Sequence, residues 1–521
     1  MVIVPNSTIR LLKCPIEMDN ENQLTFANLT AQTNYFLSLP YLQETNCTYQ
    51  RKDGVIRFET DPHGITYEDL LKYNYVMYQN TSYDTKWFYA FITKIKYVND
   101  GMTEISIETD VFQSWQFDIV YKRTFVEREH VNNDAVGLHT VPENVELGDY
   151  VCTDKHTISL FSSFYIALAV TRYPGTSLVP GDNVGGKMMN GVYSGYDYVI
   201  GEDVAGVNNI IKSYADSGYS SAIQNIILIP SFLVSNISWV TVAGWTYTVK
   251  YGTFTVSNDE YGATIIGWSK PTKLADNFTP KNNKLLTWPY IYLNVDNNAG
   301  NCVTYRYEDF SASTLSFDFI GSATPGGSFK IAPSSYKGVT GNYLYGFTPA
   351  KIPVCNWAND IYTNWLTQNG VNVALSTVAN VAQLATGNVS SGVLGIGETI
   401  AQVYQQSLIP PSLEGNVNSG DVTFASGMIN PIGYAMSIKK EYAEIIDNFF
   451  SAFGYKVNNF KIPNVTGRTN WNYVKTINCN IEGEIPQEDI QKIKTMFNNG
   501  VTFWHNASKF LDYSQSNTIV S

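Results

Sequence analysis

The sequence predicts a mainly β protein of several domains, with an α+β unit at its C-terminal end. Aromatic residues make up 14% of the 521 residues and charged residues only 15%, and aromatic and β-branched side chains favour the half-buried faces of sheets. Short apolar runs are separated by Asn, Asp and Gly, which are typical of turns. Near the C-terminus, strand patterns alternate with helix patterns. At about 100–200 residues per domain, this length predicts a multi-domain chain.

The clearest β-hairpin lies in residues 1–131, which we predict to be a β-rich N-terminal domain. The run 87–99 is followed by Asp100-Gly101 and then by the alternating run 102–112. Asp-Gly supplies the positive φ angle that a two-residue hairpin turn requires. Strict alternation would place six side chains on one face of the first strand: Trp87, Tyr89, Phe91, Thr93, Ile95 and Tyr97.

Residues 132–350 are predicted to form a β-sandwich or barrel-like domain. Runs of strand-forming residues are short, and Gly, Asn and Asp separate them, so no long helix is expected. The runs are FYIALAV (164–170), AIQNIILIP (222–230), VTVAGWTYTVKYGTFTV (240–256) and ATIIGWS (263–269).

The C-terminal part, residues 416–521, has its own order of strands and helices. Strand patterns at 437–440, 455–462, 471–481 and 501–505 alternate with amphipathic helices at 441–453 and 486–497. Gly454 and Gly500 follow the two helices, where glycine commonly ends a helix. The order β-α-β-β-α-β predicts a ferredoxin-like unit.

Residues 361–413 stand out from the rest of the chain, and we assign 351–415 to a separate hydrophobic loop. Glu398 is the only charged side chain between 361 and 413. The run 371–385 has the 3.6-residue period of a helix, and a second helical run, 398–409, ends before two prolines. Together the two runs predict an apolar helical hairpin.

This hairpin favours membrane insertion or channel lining, with a helix pair buried in a large domain as the alternative. The first helix is shorter than the about 20 residues that span hydrocarbon. Its polar stripe suits several copies around an aqueous pore, because each copy then has one wet and one apolar face. That stripe is Asn372, Ser376, Asn380 and Gln383. The candidate membrane-inserting residues are Val371, Val373, Leu375, Val378, Val381, Leu384, Val393, Leu394, Ile396, Ile400, Val403 and Leu408. Glu398 is a candidate pH-sensitive residue, since its protonation removes the only charge of the hairpin.

Charge and motif content argue against nucleic-acid binding, metal binding and cofactor binding. Lys and Arg number 34 against 46 Asp and Glu, so the net charge is −12 and the basic footprint of a DNA-gripping protein is missing. The six cysteines form no C-x-x-C pair. GDNVGGKM (181–188) and GIGETI (395–400) resemble nucleotide-binding loops but lack the final residue that each motif requires. We therefore expect no cofactor, no metal and no catalytic residue.

The run VEREH (126–130) places Glu127 and Glu129 beside His130, which makes acid–base chemistry conceivable. Side chains on an extended strand alternate between its two faces, which separates these groups. We predict a structural role for the run and no enzyme activity.

Seven aromatic-rich segments near the two ends of the chain are similar to those of a known family. They are NYVMYQN (74–80), WFYAFITKIKY (87–97), ETDVFQSWQFDIVY (108–121), TFVEREHV (124–131), DNFFSAFGYKVN (447–458), WNYVKT (471–476) and MFNNGVTFWH (496–505). In these segments the chain resembles the tail knob, or distal tail tube, proteins of small short-tailed phages of the Picovirinae type, which infect Gram-positive bacteria. The resemblance is not evident by inspection over residues 132–350, which we expect to vary within the family.

The resemblance implies a structural virion protein, a multi-domain tail-tube protomer of a homohexameric ring at the distal tip of the tail. Residues 1–131 and 416–521 would build the tube wall, and 132–350 would form an outer domain. The loop 351–415 would plug the lumen before infection and then enter the host cell membrane to form a pore. Implied partners are the other five subunits, the upper tail tube or collar protein, the membrane, and double-stranded viral DNA that passes without specific binding.

Two other functions are open on the sequence. A receptor- or carbohydrate-binding tail protein without pore activity would stack sugars on exposed Tyr and Trp of the middle segment. A wall-degrading enzyme would need Glu127, Glu129 or His130 as catalytic residues.

Overall fold

Strands predominate among the described residues, which confirms the predicted mainly β fold class. The computed structural model describes residues 6–48, 52–157, 164–175, 188–189, 192–193, 197–219, 222–230, 234–244, 247–256, 264–296, 301–321, 329–340, 345–346, 354–356 and 431–520. The chain divides into two units. Unit 1 comprises Met1–Leu147, Pro280–Leu285 and Glu441–Ser521, and unit 2 comprises Gly148–Thr279 and Leu286–Lys440.

The elements follow in chain order. The first strands are β1 (Ser7–Leu12), β2 (Asn22–Leu24), β3 (Tyr41–Cys47), β4 (Val55–Glu59), β5 (Tyr75–Gln79), β6 (Phe88–Asn99), β7 (Met102–Thr109), β8 (Val120–Tyr121) and β9 (Thr124–Glu129). The next are β10 (Tyr150–Thr157), β11 (Phe164–Val170), β12 (Met188–Met189), β13 (Val192–Tyr193), β14 (Asp197–Ile200), β15 (Ile223–Pro230), β16 (Val234–Gly244), β17 (Tyr247–Val256), β18 (Thr264–Ser269), β19 (Ile291–Asp296), β20 (Cys302–Tyr305), β21 (Thr314–Gly321), β22 (Phe329–Pro333), β23 (Ser335–Tyr336), β24 (Val339–Thr340), β25 (Val354–Asn356) and β26 (Ile432–Ile438). The last are β27 (Tyr455–Lys461), β28 (Trp471–Ile477), β29 (Ile481–Glu482) and β30 (Val501–Trp504). The α-helices are α1 (Leu29–Ser38), α2 (Tyr67–Leu70), α3 (Val111–Trp115), α4 (Val204–Asp216), α5 (Lys440–Phe453) and α6 (Gln487–Asn499).

Two larger sheets form unit 1. The first has the strand order β3-β1-β5-β6-β7-β4 and is antiparallel throughout. The second has the order β2-β30-β28-β9-β27, in which β2 and β30 run parallel. Because β2 and β9 join β27, β28 and β30, the second sheet is built from both ends of the chain.

The predicted C-terminal helices are present, but the predicted ferredoxin-like pairing is wrong for its first strand. Helices 441–453 and 486–497 appear as α5 and α6. The strand before α5, β26, pairs with β10 and β19 in unit 2. In its place β9 lies between β28 and β27. Periodicity identifies a strand but not its partner, and here the partner lies more than 300 residues away in the chain.

The predicted hairpin is confirmed as β6 and β7, joined by Asp100-Gly101, but its apolar face changes along the strand. The register of β6 against β7 shifts between Ile92 and Lys94, which marks a β-bulge. Beyond the bulge, Ile95 packs with Ile92 in the cluster that contains Ile105, while Tyr89 belongs to another cluster. The prediction of one shared face is therefore wrong beyond the bulge.

The core of unit 1 centres on aromatic rings. Phe36 of α1 stacks on Tyr75 with ring centroids 5.6 Å apart and lies 4.5 Å from the ring centroid of Tyr89. Trp471 and Trp504 of the second sheet belong to the same buried cluster, so the two sheets share one core. A further cluster packs α3 and α6 against the second sheet and includes Phe112, Val474, Ile493, Phe497 and Phe503.

Unit 2 contains a four-stranded sheet (β10-β26-β19-β20), a six-stranded sheet (β16-β17-β14-β11-β15-β25) and a three-stranded sheet (β18-β21-β22). The predicted runs at 164–170 and 222–230 appear as β11 and β15, which pair antiparallel. These strands agree with the predicted β character of residues 132–350.

A helix in unit 2, α4, contradicts the expectation that the middle of the chain lacks long helices. It has 13 residues and packs on β17. Ile210 and Tyr214 are fully buried, and Oδ1 of Asp203 accepts a hydrogen bond from the N–H of Gly206 at 2.7 Å. Two features of the sequence indicate this helix: the capping aspartate and the spacing of Val207, Ile210 and Tyr214. The Gly and Asn residues of the segment have weak helix propensity and therefore mask the pattern.

Candidate functional site

The predicted membrane-active loop, 351–415, lies outside the described residues apart from Val354–Asn356. Outside them lie all the candidate inserting residues: Val371, Val373, Leu375, Val378, Val381, Leu384, Val393, Leu394, Ile396, Ile400, Val403 and Leu408. Glu398 lies outside them too, as does the rejected loop 395–400 and, except for Met188, the rejected loop 181–188. What the structure defines is β25, near the start of the loop, and β26, the strand after the loop.

These two strands hold the ends of the segment differently. β25 is the edge strand of its sheet and pairs with β15, where Val354 lies opposite Ile227 and Asn356 opposite Asn225. β26 is a central strand that is paired with β10 on one side and with β19 on the other. The C-terminal end of the segment is thus held by two hydrogen-bonded ladders and the N-terminal end by one.

In unit 1, a buried ionic cluster joins the three chain segments from which the unit is built. The side chain of Glu143 is fully buried and contacts the guanidinium of Arg128. It also lies 2.5 Å from Nζ of Lys284 and accepts a hydrogen bond from the N–H of Lys456 at 2.8 Å. Burial lowers the pKa of the Lys284 ammonium, and the hydrogen bond that the ammonium donates to Glu143 opposes this. One carboxylate therefore connects all three segments.

A second buried carboxylate, Asp447 of α5, fixes the short segment Pro280–Leu285. It accepts hydrogen bonds from the N–H of Lys281 at 2.9 Å and from the N–H of Asn282 at 3.0 Å. The sequence analysis missed both Glu143 and Asp447. For Asp447 a signal existed, because it occupies a helix position between Ala443 and Phe450 that the amphipathic pattern reserves for apolar residues. Glu143 lies in an irregular stretch that carries no such pattern.

The acid–histidine run 126–130 has structural partners. Nδ1 of His130 accepts a hydrogen bond from the N–H of Tyr473 at 2.8 Å, so Nε2 carries the proton and donates to the carbonyl of Ser451 at 3.2 Å. The buried Glu129 carboxylate contacts Nζ of Lys461 and accepts from the N–H of Asn464. Neither ring nitrogen of His130 is free to activate a nucleophile.

Two histidines are buried in their neutral form in unit 1. Burial, together with the charges of Arg468 and Arg128, lowers the pKa of His130 to about 3. Burial lowers the pKa of His505 to about 4, and its ring contacts Oγ1 of Thr25 at 2.6 Å. Both pKa values lie below the value of about 6.5 for histidine in an unfolded chain.

Unit 1 should therefore lose stability between pH 7 and pH 5. Below about pH 6.5 the unfolded chain takes up a proton on each histidine and the folded chain does not, which costs about 2 kcal/mol per histidine at pH 5. Burial raises the pKa of Asp110 to about 6, and its protonation on acidification offsets about 1 kcal/mol of that loss. Denaturant unfolding at both pH values measures the change in the free energy of unfolding. His130→Asn or His505→Asn should make this free energy depend less steeply on pH. Equal stability at pH 7 and pH 5 would contradict the assignment of neutral buried histidines.

The described residues contain no group of three or more His, Cys, Asp or Glu side chains that could hold a metal ion. None of their helices combines the length and the apolar character needed to cross a membrane.

Comparison with known proteins identifies the family. The family model described as the C-terminal domain of tail knob protein gp9 of Bacillus phage phi29 matches residues 250–518, more than half of the chain. The chain belongs to this tail knob protein family. A second family model, the N-terminus of caudoviral major tail proteins, matches residues 5–122. The predicted hydrophobic hairpin, 361–413, lies inside the first matched range.

Individual tail knob proteins are similar over almost their whole length. Tail knob protein gp9 of Bacillus phage B103 is 26% identical over 588 aligned residues, covering 97% of each chain. Tail knob protein gp9 of Bacillus phage phi29 is 24% identical, covering 97% of this chain and 98% of that one. The structure of the bacteriophage C1 tail knob protein, gp12, matches with a TM-score of 0.66 at 16% identity, covering 99% of this chain and 100% of that one. At this identity the structural match shows the fold alone.

These comparisons confirm the resemblance seen in the sequence. The chain is a structural component of the phage tail and so part of the virion. The prediction that it is not an enzyme is confirmed, because its relatives are structural tail knob proteins.

Proposed function

We propose that this tail knob protein forms a homohexameric ring at the distal tip of the tail and serves as the conduit for genome ejection. The loops 351–415 plug the lumen and, after contact with a cell, insert into the host membrane to form a pore. The observation that carries the proposal is the similarity to tail knob proteins over 97% of the chain, with the apolar hairpin inside the matched range.

The proposed division of labour assigns the tube wall to residues 1–131 and 416–521. The match of residues 5–122 to the N-terminus of caudoviral major tail proteins supports this role for the first sheet of unit 1. The second sheet of unit 1 takes strands from both of these ranges, which supports a wall to which both ends of the chain contribute. Residues 132–350 form the outer β domain.

The loop works in this proposal because its apolar surface needs a partner in both states. In the plugged tube, loops from six subunits bury their apolar faces against one another. Apolar burial contributes about 25 cal/mol per Å², so release of the loops creates a strong tendency to bury the same surface elsewhere. Lipid is the nearest apolar medium at a cell surface. Protonation of Glu398 removes the one charged side chain of the predicted hairpin, 361–413, and so favours its insertion.

The acidic composition of the chain is compatible with the passage of DNA through the proposed ring. Each subunit carries a net charge of −12, and acidic side chains facing the lumen repel DNA phosphates, so the duplex slides without adhering. The other partners in this proposal are the upper tail tube or collar protein of the virion and the host cell membrane.

The mass of the assembled protein tests the ring. The purified protein should form a particle of six times 58.2 kDa, because heterologous contacts between subunits close into a ring at one fixed number. Native mass spectrometry over a dilution series measures this mass, and electron microscopy of the same sample should show six-fold rings. A stable monomer at high concentration would contradict the tube.

A further inference from the structure

A cavity of about 460 Å³ lies in unit 1 beneath the last described residues of the chain. Tyr513–Ile519 form one wall, and Lys281, Arg468 and Trp471 contribute to the others. The C-terminal segment is held in place by hydrogen bonds, among them those that Oδ1 of Asn517 accepts from the N–H groups of Asn470 and Trp471 at 2.8 and 3.0 Å. The cavity is therefore a defined feature of the fold.

Arg468 brings a positive charge to this cavity, and no carboxylate of the described residues forms a direct ion pair with it. Its Nη2 donates to the carbonyl of Val131 at 2.9 Å and its Nη1 to the carbonyl of Asn517 at 3.4 Å. Nε is buried and has no acceptor. Within the part of the chain that the structure describes, the guanidinium forms no ion pair, and Asp134 attracts it only from beyond ion-pair distance. Carbonyl oxygens satisfy some of its N–H groups but do not neutralise its charge.

A second cation, Lys281, lines the same cavity. Its ammonium is exposed and forms no ion pair with any described residue. The carboxylate in the described lining, Asp134, is already occupied, because it accepts from the hydroxyl of Tyr455 at 2.7 Å and from the N–H of Asn283 at 3.0 Å. His130 also lines the cavity, with both ring nitrogens engaged. Two cations thus face one acid whose oxygens are in use.

Burial lowers the pKa of Arg468, and attraction to Asp134, which forms no ion pair with it, only partly offsets the cost of desolvating the guanidinium. Concave walls of one sign also concentrate counter-ions. We propose that this cavity binds a small oxyanion of the phosphate class, held by the guanidinium of Arg468 and the ammonium of Lys281. Planar guanidinium groups suit phosphate geometry, and lysine adds a point charge. Ser516 and Thr518, which carry hydroxyl groups, also line the cavity.

Calorimetric titration of the full-length protein with inorganic phosphate, against sodium chloride at equal ionic strength, tests the site. We expect one site per chain with a Kd of about 1 mM or below. Lys281→Gln should weaken binding about tenfold, because it removes one charge-assisted contact. Lys94→Gln, which removes an exposed lysine from β6 of the same unit, is the matched control and should leave the Kd unchanged. Arg468→Lys keeps the charge but loses the planar donor set, and should also weaken binding.

The source of the oxyanion is distinguished by a second titration with dimethyl phosphate, a phosphodiester. If both probes bind, the site accepts the phosphodiester groups of a polymer in addition to free phosphate. If only inorganic phosphate binds, the site is specific for free phosphate or a phosphate monoester. No heat beyond the chloride control would overturn the proposal. So would phosphate binding that persists unchanged in Lys281→Gln, a variant of an exposed side chain whose folding circular dichroism can verify.

Discussion

Phage that carry Val378→Asp together with Leu384→Asp in this protein should adsorb to cells normally and fail to deliver their DNA. Both residues lie on the apolar side of the predicted helix 371–385. An aspartate at the centre of a membrane helix costs about 3 kcal/mol, and every subunit of the proposed ring would carry two. Insertion of the loops should therefore be blocked, with a loss of plaque formation by several orders of magnitude.

Adsorption is measured by depletion of free particles, and delivery by the appearance of phage DNA inside the cells. The matched control is Asn380→Asp with Gln383→Glu, which adds the same charge to the polar stripe of the same helix. We expect this control to deliver DNA, because the stripe faces water in the proposed pore. Normal delivery by the Val378 and Leu384 variant would remove the pore role. Failure of both variants to assemble particles would point instead to a role in tail assembly.

Replacement of Glu143 by alanine should destabilise unit 1 by about 3–5 kcal/mol, because it leaves two buried cations without their partner. The Glu143 side chain is fully buried, as is nearly all of Lys284, which is 2% exposed. Removal of one member of a buried pair costs far more than the pair itself contributes, since the remaining charge stays desolvated. The Lys456 N–H would lose its acceptor as well.

Denaturant unfolding of the purified protein measures this change. Glu146→Ala removes the same side chain three residues away at an exposed position and should shift stability by less than about 0.5 kcal/mol. Glu143→Ala combined with Lys284→Met should recover part of the lost stability, because an apolar side chain replaces the stranded ammonium. Equal effects of Glu143→Ala and Glu146→Ala would show that the cluster does not hold the three segments together.

The local sequence pattern predicted many of the strands and helices. It failed where contacts between residues far apart in the chain determine strand register or strand pairing. The Asp100-Gly101 turn and the helices α5 and α6 follow from residues next to one another in the chain. The bulge near Thr93 does not, because the register of β6 against β7 is set by packing on both faces of the sheet. The pairing of β26 in unit 2 was also beyond reach, since no local signal distinguishes partners.

The predicted hairpin, 361–413, was recognised from the sequence, whereas the polar sites were not. Its apolar character and its single charge, Glu398, are evident from composition alone, and the family match includes it. The ionic cluster around Glu143 and the cavity next to Arg468 could not be predicted, because each brings together side chains from segments far apart in the chain. Of these residues, only Asp447 has a position in the sequence pattern that indicates a buried polar contact, because it is an acid on the apolar side of a helix.

The second sheet of unit 1 determines when this protein can finish folding during its synthesis. The N–H of Thr25 donates a hydrogen bond to the carbonyl of Trp504 at 2.8 Å. The strands β2 and β9 cannot complete their sheet until β28 and β30 have been synthesised. β28 is synthesised more than 300 residues after β9, so the N-terminal strands spend much of the elongation time with unsatisfied edges. Most of unit 2 is encoded between them. A chain that stops before β27 therefore leaves β2 and β9 without their partner strands and cannot complete the second sheet of unit 1.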